Sequence, residues 1–493
     1  MRGKPTILFI AITPPEYIPI NMRPYGIPRS FQLHAHKHSV LALTAWLRKH
    51  KSEGQYIWIN AVDDEGISDV FKKIDEVKPH AVGFSLTTEE FMLHYSLIEL
   101  IKARYPELPV IVGGPHVTHE PFHTIQTFPD IDYVCIGEGE ITLTEWLTRI
   151  ADGKKKEDMR DIAGLAFRDS SWGVVTTAPR KKFDDLNVLP DPAYDLIASP
   201  DDPDNVHKVF PISASYGCRY FCTFCSVPHG SYRYIKPERM VSQIEHAIET
   251  YGVSYFAIRD SFWPPSSEWL NEFCDLVERK ELKFQFHFET RAGTLTYGQI
   301  LRLKLIGCQA IAVGVESGDA DMLKAIKKGI TPDMARKTFA NLHRAGIPSI
   351  AFFMIGNQGE NFDTVEKTVE FMHELNPTIM TLSTFIPFPG SEAFGLVKDG
   401  DRHWWMSGRR VSICDISIED LARVREDIHI RYPLRLGYLK QNVYGGRLPK
   451  PFRKIAMNTF RIHLRKYLLG ISERYPVCRY AIRGVKKLVR RYG

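Results

Sequence analysis

Little in this chain of 493 residues marks it for an unusual environment. It has only eight cysteines, far too few for a disulfide scaffold, which is small and cysteine-dense. No apolar run is long enough to span a bilayer. The first apolar run, 6-TILFIAI-12, is short and ends near Pro14-Pro15 with no small-residue cleavage site, so it reads as a buried first strand, not a signal peptide. The net charge is only +6 and gives no ground for a specific nucleic-acid partner. What remains is a globular, reducing-compartment composition, 44% hydrophobic and 25% charged, pointing to a cytoplasmic protein of two or three domains.

Strand and helix signals alternate through residues 1–153. The runs 6-TILFIAI-12, 56-YIWINAV-62, 80-HAVGFSL-86, 109-PVIVGG-114 and 131-IDYVCIG-137 are predominantly apolar, and amphipathic helical patterns separate them. Strands of this kind predict a parallel sheet covered on both faces, a flavodoxin-like (Rossmann-like) doubly wound α/β domain. Ligands of such domains lie beyond the carboxyl ends of the strands. The loops there are 85-SLTTEE-90, 113-GGPHVT-118 and 137-GEGE-140. Their glycines allow close backbone approach to a ligand, although turn chemistry alone selects similar residues. The long loop 13–32 and the cluster 34-HAHKH-38 follow the first strand. His34 or His36 is placed to line a cleft there, while a metal site or a plain helix lead-in are the other readings.

Residues 154–205 read as a linker with a small hairpin at 164–179. From 206 to 394 the alternation resumes with six strand–helix units, which close most naturally as a partial (β/α)6 barrel. The first of its strands, 209–217, runs directly into 216-YGCRYFCTFCS-226. Cys218, Cys222 and Cys225 are spaced C-x3-C-x2-C, three thiols where a closed zinc site takes four ligands. A zinc knuckle completed by His229 is the alternative to an iron–sulfur site with an open position. Residues 395–493 read as a helical, basic region. In 452–470 and 481–493 an apolar stripe is flanked by Lys and Arg, which suits either a cap on the barrel or peripheral contact with anionic membrane and a lipid-like substrate.

With Tyr220, Phe221 and Phe224 interleaved among its cysteines, the loop resembles that of the radical S-adenosylmethionine (SAM) superfamily. The resemblance implies that Cys218, Cys222 and Cys225 hold a [4Fe–4S] cluster and that SAM fills the open iron. It extends along the barrel. Glu316 and Ser317 in 314-GVESGD-319 match the fourth-strand segment that approaches SAM, and Tyr220, Phe224 and Gly356 complete the implied SAM site. The segment 352-FFMIGNQGE-360 resembles the fifth-strand G-x-P-G-E pattern, with Gln358 in place of proline, and 385-FIPFPGS-391 matches the sixth-strand pattern. Asp260 and Arg291 fall where second- and third-strand residues face the site and are the candidate catalytic residues.

A doubly wound domain ahead of such a barrel looks like the B12-binding subgroup, similar to its class B methyltransferases. The implied cobalamin contacts are Ser85, Thr87, Thr88, Gly113, Gly114, His116, Thr118, Gly137, Glu138 and Gly139. The D-x-H-x-x-G motif that supplies a cobalt ligand is absent, so the resemblance assigns none. It implies methylation of an unactivated carbon through a 5′-deoxyadenosyl radical and methylcobalamin, with an electron donor such as flavodoxin or ferredoxin. Cyclisation or ring rearrangement without methyl transfer is the alternative. Methylthio transfer to tRNA would need a second three-cysteine cluster in the N-terminal domain, where only Cys135 lies.

Overall fold

A computed structural model describes residues 3–12, 38–59, 61–202, 208–227 and 231–440, with isolated positions beyond. The loop 13–32, His34, His36, His229, Cys478 and the basic stretches 452–470 and 481–493 lie outside these residues or are met only at isolated positions. No helix among the described residues is long and apolar enough to cross a membrane.

The N-terminal sheet has the order β2-β1-β3-β4-β5-β6-β7. Its strands are β1 (Thr6–Ile12), β2 (Glu53–Ile59), β3 (Ala81–Ser85), β4 (Val110–Gly113), β5 (Tyr133–Cys135), β6 (Leu165–Arg168) and β7 (Val174–Thr176). The first five are parallel, as the apolar strands predict. Helices α1 (His38–Lys49), α2 (Asp64–Val77), α3 (Phe91–Arg104), α4 (Pro115–His119), α5 (Pro121–Thr127) and α6 (Gly139–Ala151) connect and cover them. Two apolar clusters form, one on each face, which is what a doubly wound sheet requires. The hairpin expected at 164–179 forms as β6 and β7, but it joins the sheet: β6 pairs antiparallel with β5. Leu165, Ala166 and Phe167 are fully buried there, and that burial is the physical reason.

The second sheet is six-stranded and parallel, in the order β15-β14-β13-β12-β11-β8. It comprises β8 (Val209–Ile212), β11 (Tyr255–Ile258), β12 (Gln285–Arg291), β13 (Cys308–Glu316), β14 (Ser349–Ile355) and β15 (Ile379–Thr384). β8 and β15 do not pair, so the barrel is open. Its helices are α7 (Pro237–Tyr251), α8 (Ser267–Arg279), α9 (Tyr297–Leu305), α10 (Ala320–Ala325), α11 (Pro332–Ala345) and α12 (Phe362–Leu375). The run 209–217 is not one strand. It breaks after Ile212, where the Asp260 carboxylate takes the Ala214 N–H at 2.9 Å and the Ser215 hydroxyl. The chain then leaves the barrel as β9 (Ser215–Tyr216), which pairs antiparallel with β10 (Arg233–Tyr234) and clasps the cysteine loop at its base. Beyond the barrel, α13 (Trp404–Ser407), α14 (Ile418–Arg431) and α15 (Leu436–Leu439) follow. His429 of α14 accepts the free Leu382 N–H of β15 at 3.3 Å, capping the open edge.

Candidate active site

The three cysteines sit on the loop between β9 and β10. Gly217, at φ +80°, turns the chain into it, a conformation that costs glycine nothing. Inside, the Cys225 N–H meets the Cys222 carbonyl at 3.1 Å, and the Thr223 N–H meets the Ile326 carbonyl at 3.0 Å, so the loop is tied to the end of α10. All three thiols are partly exposed. Burial pushes the Cys222 and Cys225 thiols up, while Lys328 pulls both down and Arg291 helps at Cys222. Among the described residues no group of three or more His, Cys, Asp or Glu converges as a single metal ion would need. Three thiolates on three separate irons of a cluster need no such convergence, so the loop fits a [4Fe–4S] group.

The SAM-side motifs gather around this loop. Glu316, buried at the end of β13, has φ +69°, a strained conformation for a residue with a Cβ. Its carboxylate pairs with Lys328 Nζ at 2.6 Å. Gly314 makes room for that pair, since a Cβ there would stand 2.7 Å from Lys328 Nζ and 2.9 Å from Glu316 Oε1. The Arg291 guanidinium lies 3.6 Å from the Tyr220 ring centroid and donates to the Lys328 carbonyl. Lys328 itself is 5.5 Å from the Phe224 ring. In the fifth-strand loop Glu360 accepts the Gly356 and Asn357 N–H groups, the second at 3.0 Å. This holds the loop without the usual proline. Burial raises the Glu360 carboxyl to about 7.

Two expected residues turn elsewhere. Ser317 is fully buried, its hydroxyl shared with Thr368 at 3.0 Å and with the Asp319 N–H. Asp260 is occupied with the backbone ahead of the cysteine loop. Through these bonds it positions that loop. Its burial raises the carboxyl to about 7 against the pull of its own hydrogen bonds.

In the N-terminal domain a cavity of about 230 Å3 opens at the carboxyl ends of β1, β3, β4 and β5. Ser85, Gly113, Gly114, Gly137, Glu138 and Gly139 line it, as expected, together with an apolar wall that includes Phe9, Leu43 and Ile111. Gly114 is required there: at φ +99°, a Cβ would stand 2.7 Å from the Leu86 carbonyl oxygen. An apolar crevice of this volume with glycine rims fits the flat nucleotide end of a corrinoid. The other four expected residues do not line the cavity. Thr118 accepts the Gly137 N–H at 3.1 Å, and the buried Thr88 hydroxyl meets His116 Nδ1 at 3.0 Å. His116 packs against Phe91 and Trp405, where burial lowers it to about 3, and Thr87 is exposed.

Tyr216, on β9 at the base of the cysteine loop and two residues before Cys218, also lines this cavity. Its hydroxyl donates to buried Glu140 at 3.1 Å. Arg233, opposite Tyr216 on β10, pairs with Glu138. His119 Nε2 lies 3.0 Å from the Ser226 carbonyl, and Gly390 packs so closely on the His119 ring that a Cβ would overlap it. Tyr216, Glu140 and Lys328 were missed as site residues. Glu140 and Tyr216 stand inside quoted motifs, so position was the available signal, whereas Lys328 has no local signature.

The model of the radical SAM superfamily matches residues 212–372, and that of the B12 binding domain matches residues 27–147. An uncharacterized methyltransferase of Pyrococcus horikoshii is 24% identical over 392 residues, 78% of this chain and 84% of that protein. An anaerobic magnesium-protoporphyrin IX monomethyl ester cyclase of Rubrivivax gelatinosus is 25% identical over 73% of this chain, which spans 66% of the cyclase. Among solved structures, the cobalamin-dependent S-adenosylmethionine radical enzyme OxsB, with aqua-cobalamin and SAM bound, superposes with a TM-score of 0.69 at 17% identity, covering 99% of this chain and 75% of that one. That likeness establishes the fold.

Proposed function

Because the chain belongs to the radical SAM superfamily, among its members with a B12-binding domain, and takes a [4Fe–4S] cluster, SAM and cobalamin, we propose that it methylates an unactivated carbon of a small molecule. One observation carries the reading: Tyr216, the β9 residue that leads into the cysteine loop, also lines the cavity at the carboxyl ends of the N-terminal strands. Two cofactor sites that share a wall can act on one substrate. When bound, the cluster and SAM supply a carbon radical that abstracts hydrogen, and the corrinoid supplies the methyl group.

The chain's own residues do the rest. Cys218, Cys222 and Cys225 hold the cluster as thiolates, and the positive field of Lys328 favours that form at Cys222 and Cys225. Glu316, Tyr220, Phe224 and Gly356 take the SAM side, with Ser317 fixing the turn behind Glu316. Ser85, Gly113, Gly114, Gly137, Glu138 and Gly139 contact the corrinoid, while Thr87, Thr88, His116 and Thr118 shape their loops. Arg291, flat on Tyr220, orients that ring. A flavodoxin- or ferredoxin-class protein delivers the electron. A cytoplasmic setting, with the basic C-terminal stretch touching anionic membrane, completes the proposal and is tested by vesicle co-sedimentation.

The match to the cyclase favours a second reading, ring closure without methyl transfer. Anaerobic reconstitution with cobalamin, removal of free corrinoid, and visible spectra before and after SAM plus reductant separate the cases. Retained corrinoid that acquires a methyl group supports methyl transfer. Retained corrinoid that never does so favours the cyclase, and SAM cleavage without retained corrinoid overturns both.

A further inference from the structure

Alternation along β11 and β12 sorts their side chains onto two faces. Phe256, Ile258, Phe286 and Phe288 sit in the apolar core under the helices. Tyr255 and His287 face the other way, and the Tyr255 hydroxyl meets His287 Nδ1 at 3.2 Å. Further toward the carboxyl ends, the same alternation turns Arg259 and Glu289 into the lumen. Ala257 stands opposite His287 in the register, so Arg259 continues opposite Glu289.

Both charged side chains are exposed although their sequence neighbours are buried. They form no ion pair within 4.0 Å of each other, and neither side chain hydrogen-bonds to a described residue. Burial nevertheless pushes the Glu289 carboxyl up, against the pull of Arg259. Exposed side chains on the inward face of an open barrel stand in its lumen, not on its outer surface. Arg259 also bears electrostatically on His287 and on His38, the first residue of α1. The walls beside it are small, with Ala257 and Ala312 on the inward face. The other inward charges are already satisfied, Glu316 by Lys328 and Arg291 by the Lys328 carbonyl. A charge in the lumen is costly unless something pairs it.

We propose that Arg259 and Glu289 are the recognition pair for the substrate: Arg259 binds an oxyanion, carboxylate or phosphate, and Glu289 accepts a hydrogen bond from a hydroxyl or ammonium group of the same molecule. The proposal rests on the barrel lumen being the reaction chamber. Small lumen walls fit a compact, polar substrate, with the planar fork of Arg259 suited to bidentate contact.

The test uses the full chain loaded with cluster and corrinoid, kept anaerobic, and follows phenyl phosphate, benzoate, benzylamine and benzyl alcohol by saturation-transfer NMR. The two anions bind best to the wild type. Arg259→Gln weakens them about tenfold or more. Arg259→Glu reverses the preference toward benzylamine, and Glu289→Gln strengthens the anions by removing a like charge. Iron and corrinoid contents report folding, and if the Arg259 variants do not fold, Glu289→Gln decides alone. Anion binding that these changes leave untouched overturns the proposal. So does displacement of the anions by SAM, which would assign Arg259 to the SAM carboxylate. Fragment binding needs no turnover, so a failure of methyl transfer leaves this result standing.

Discussion

Removing the Tyr216 hydroxyl, as Tyr216→Phe, tests whether the two cofactor sites are coupled. The phenol donates at 3.1 Å to Glu140, which is 4% exposed. Burial raises the Glu140 carboxyl, and the nearby Glu138 adds to this, while Tyr216 and Arg233 hold it down. A hydrogen bond to a charged group contributes about 1.5–3 kcal/mol. Its loss leaves the carboxylate buried with one donor fewer. Both residues line the corrinoid cavity, so the loss falls on the cavity's own geometry. At about 1.4 kcal/mol per decade, cobalamin affinity drops roughly 10- to 100-fold. The pH dependence has a definite sign. Glu140 has a folded pKa above its unfolded value, so its ionisation costs stability as pH rises through that interval, and Tyr216→Phe pushes the folded value higher still. The gap between variant and wild type is therefore widest at alkaline pH and closes on acidification. Equilibrium dialysis with cobalamin measures the affinity, and denaturant unfolding from about pH 5 to about pH 8 measures the stability gap. In a Glu140→Gln background the same change costs less than half as much. An unchanged affinity, or a gap independent of pH, would refute the coupling.

Other consequences follow from the barrel. Glu316→Gln strands the buried Lys328 ammonium and costs the barrel about 3–5 kcal/mol in denaturant unfolding, most of it recovered by adding Lys328→Met. For Asp260, raised to about 7 in the fold, stability declines as pH climbs from the ordinary carboxylate range to about 7, by up to roughly 4 kcal/mol. Asp260→Asn flattens that decline in melting temperature, leaving the share of Glu360, and equal slopes in both proteins would contradict the assignment. Serine at Cys218, Cys222 or Cys225 abolishes bound iron after reconstitution, whereas Cys274→Ala, in the core under β11 and β12, retains it by iron assay.

Chemistry that is encoded locally was legible in the sequence. The cysteine spacing, the glycine-rimmed loops and the period of the apolar runs each concern a few adjacent residues, and six of the ten expected corrinoid residues reach the cavity. What stayed hidden depends on partners far along the chain. The end of β8 is set by a carboxylate 46 residues away, which no pattern in 209–217 announces. The hairpin 165–176 reads as a free hairpin until β5 offers it an edge. Side-chain direction within a motif was equally unreadable. Glu316 and Ser317 are neighbours, yet one points at Lys328 and the other into the core against Thr368.

The contacts that join the domains arise in the loops that make the sites. Glu138 and Glu140 follow β5, and their partners Arg233 and Tyr216 are the paired residues of β10 and β9 that brace the cysteine loop. His119, just after the GGPHVT turn, reaches Ser226, next to Cys225, and is covered by Gly390 of the sixth-strand motif. Conserving the domain interface and conserving the cofactor geometry are therefore one physical requirement. A shift of the N-terminal domain moves the cavity rim and the base of the cysteine loop together. This explains why glycine stands at 390: at φ +86°, with His119 filling the space a Cβ would take, any side chain would push the two sites apart.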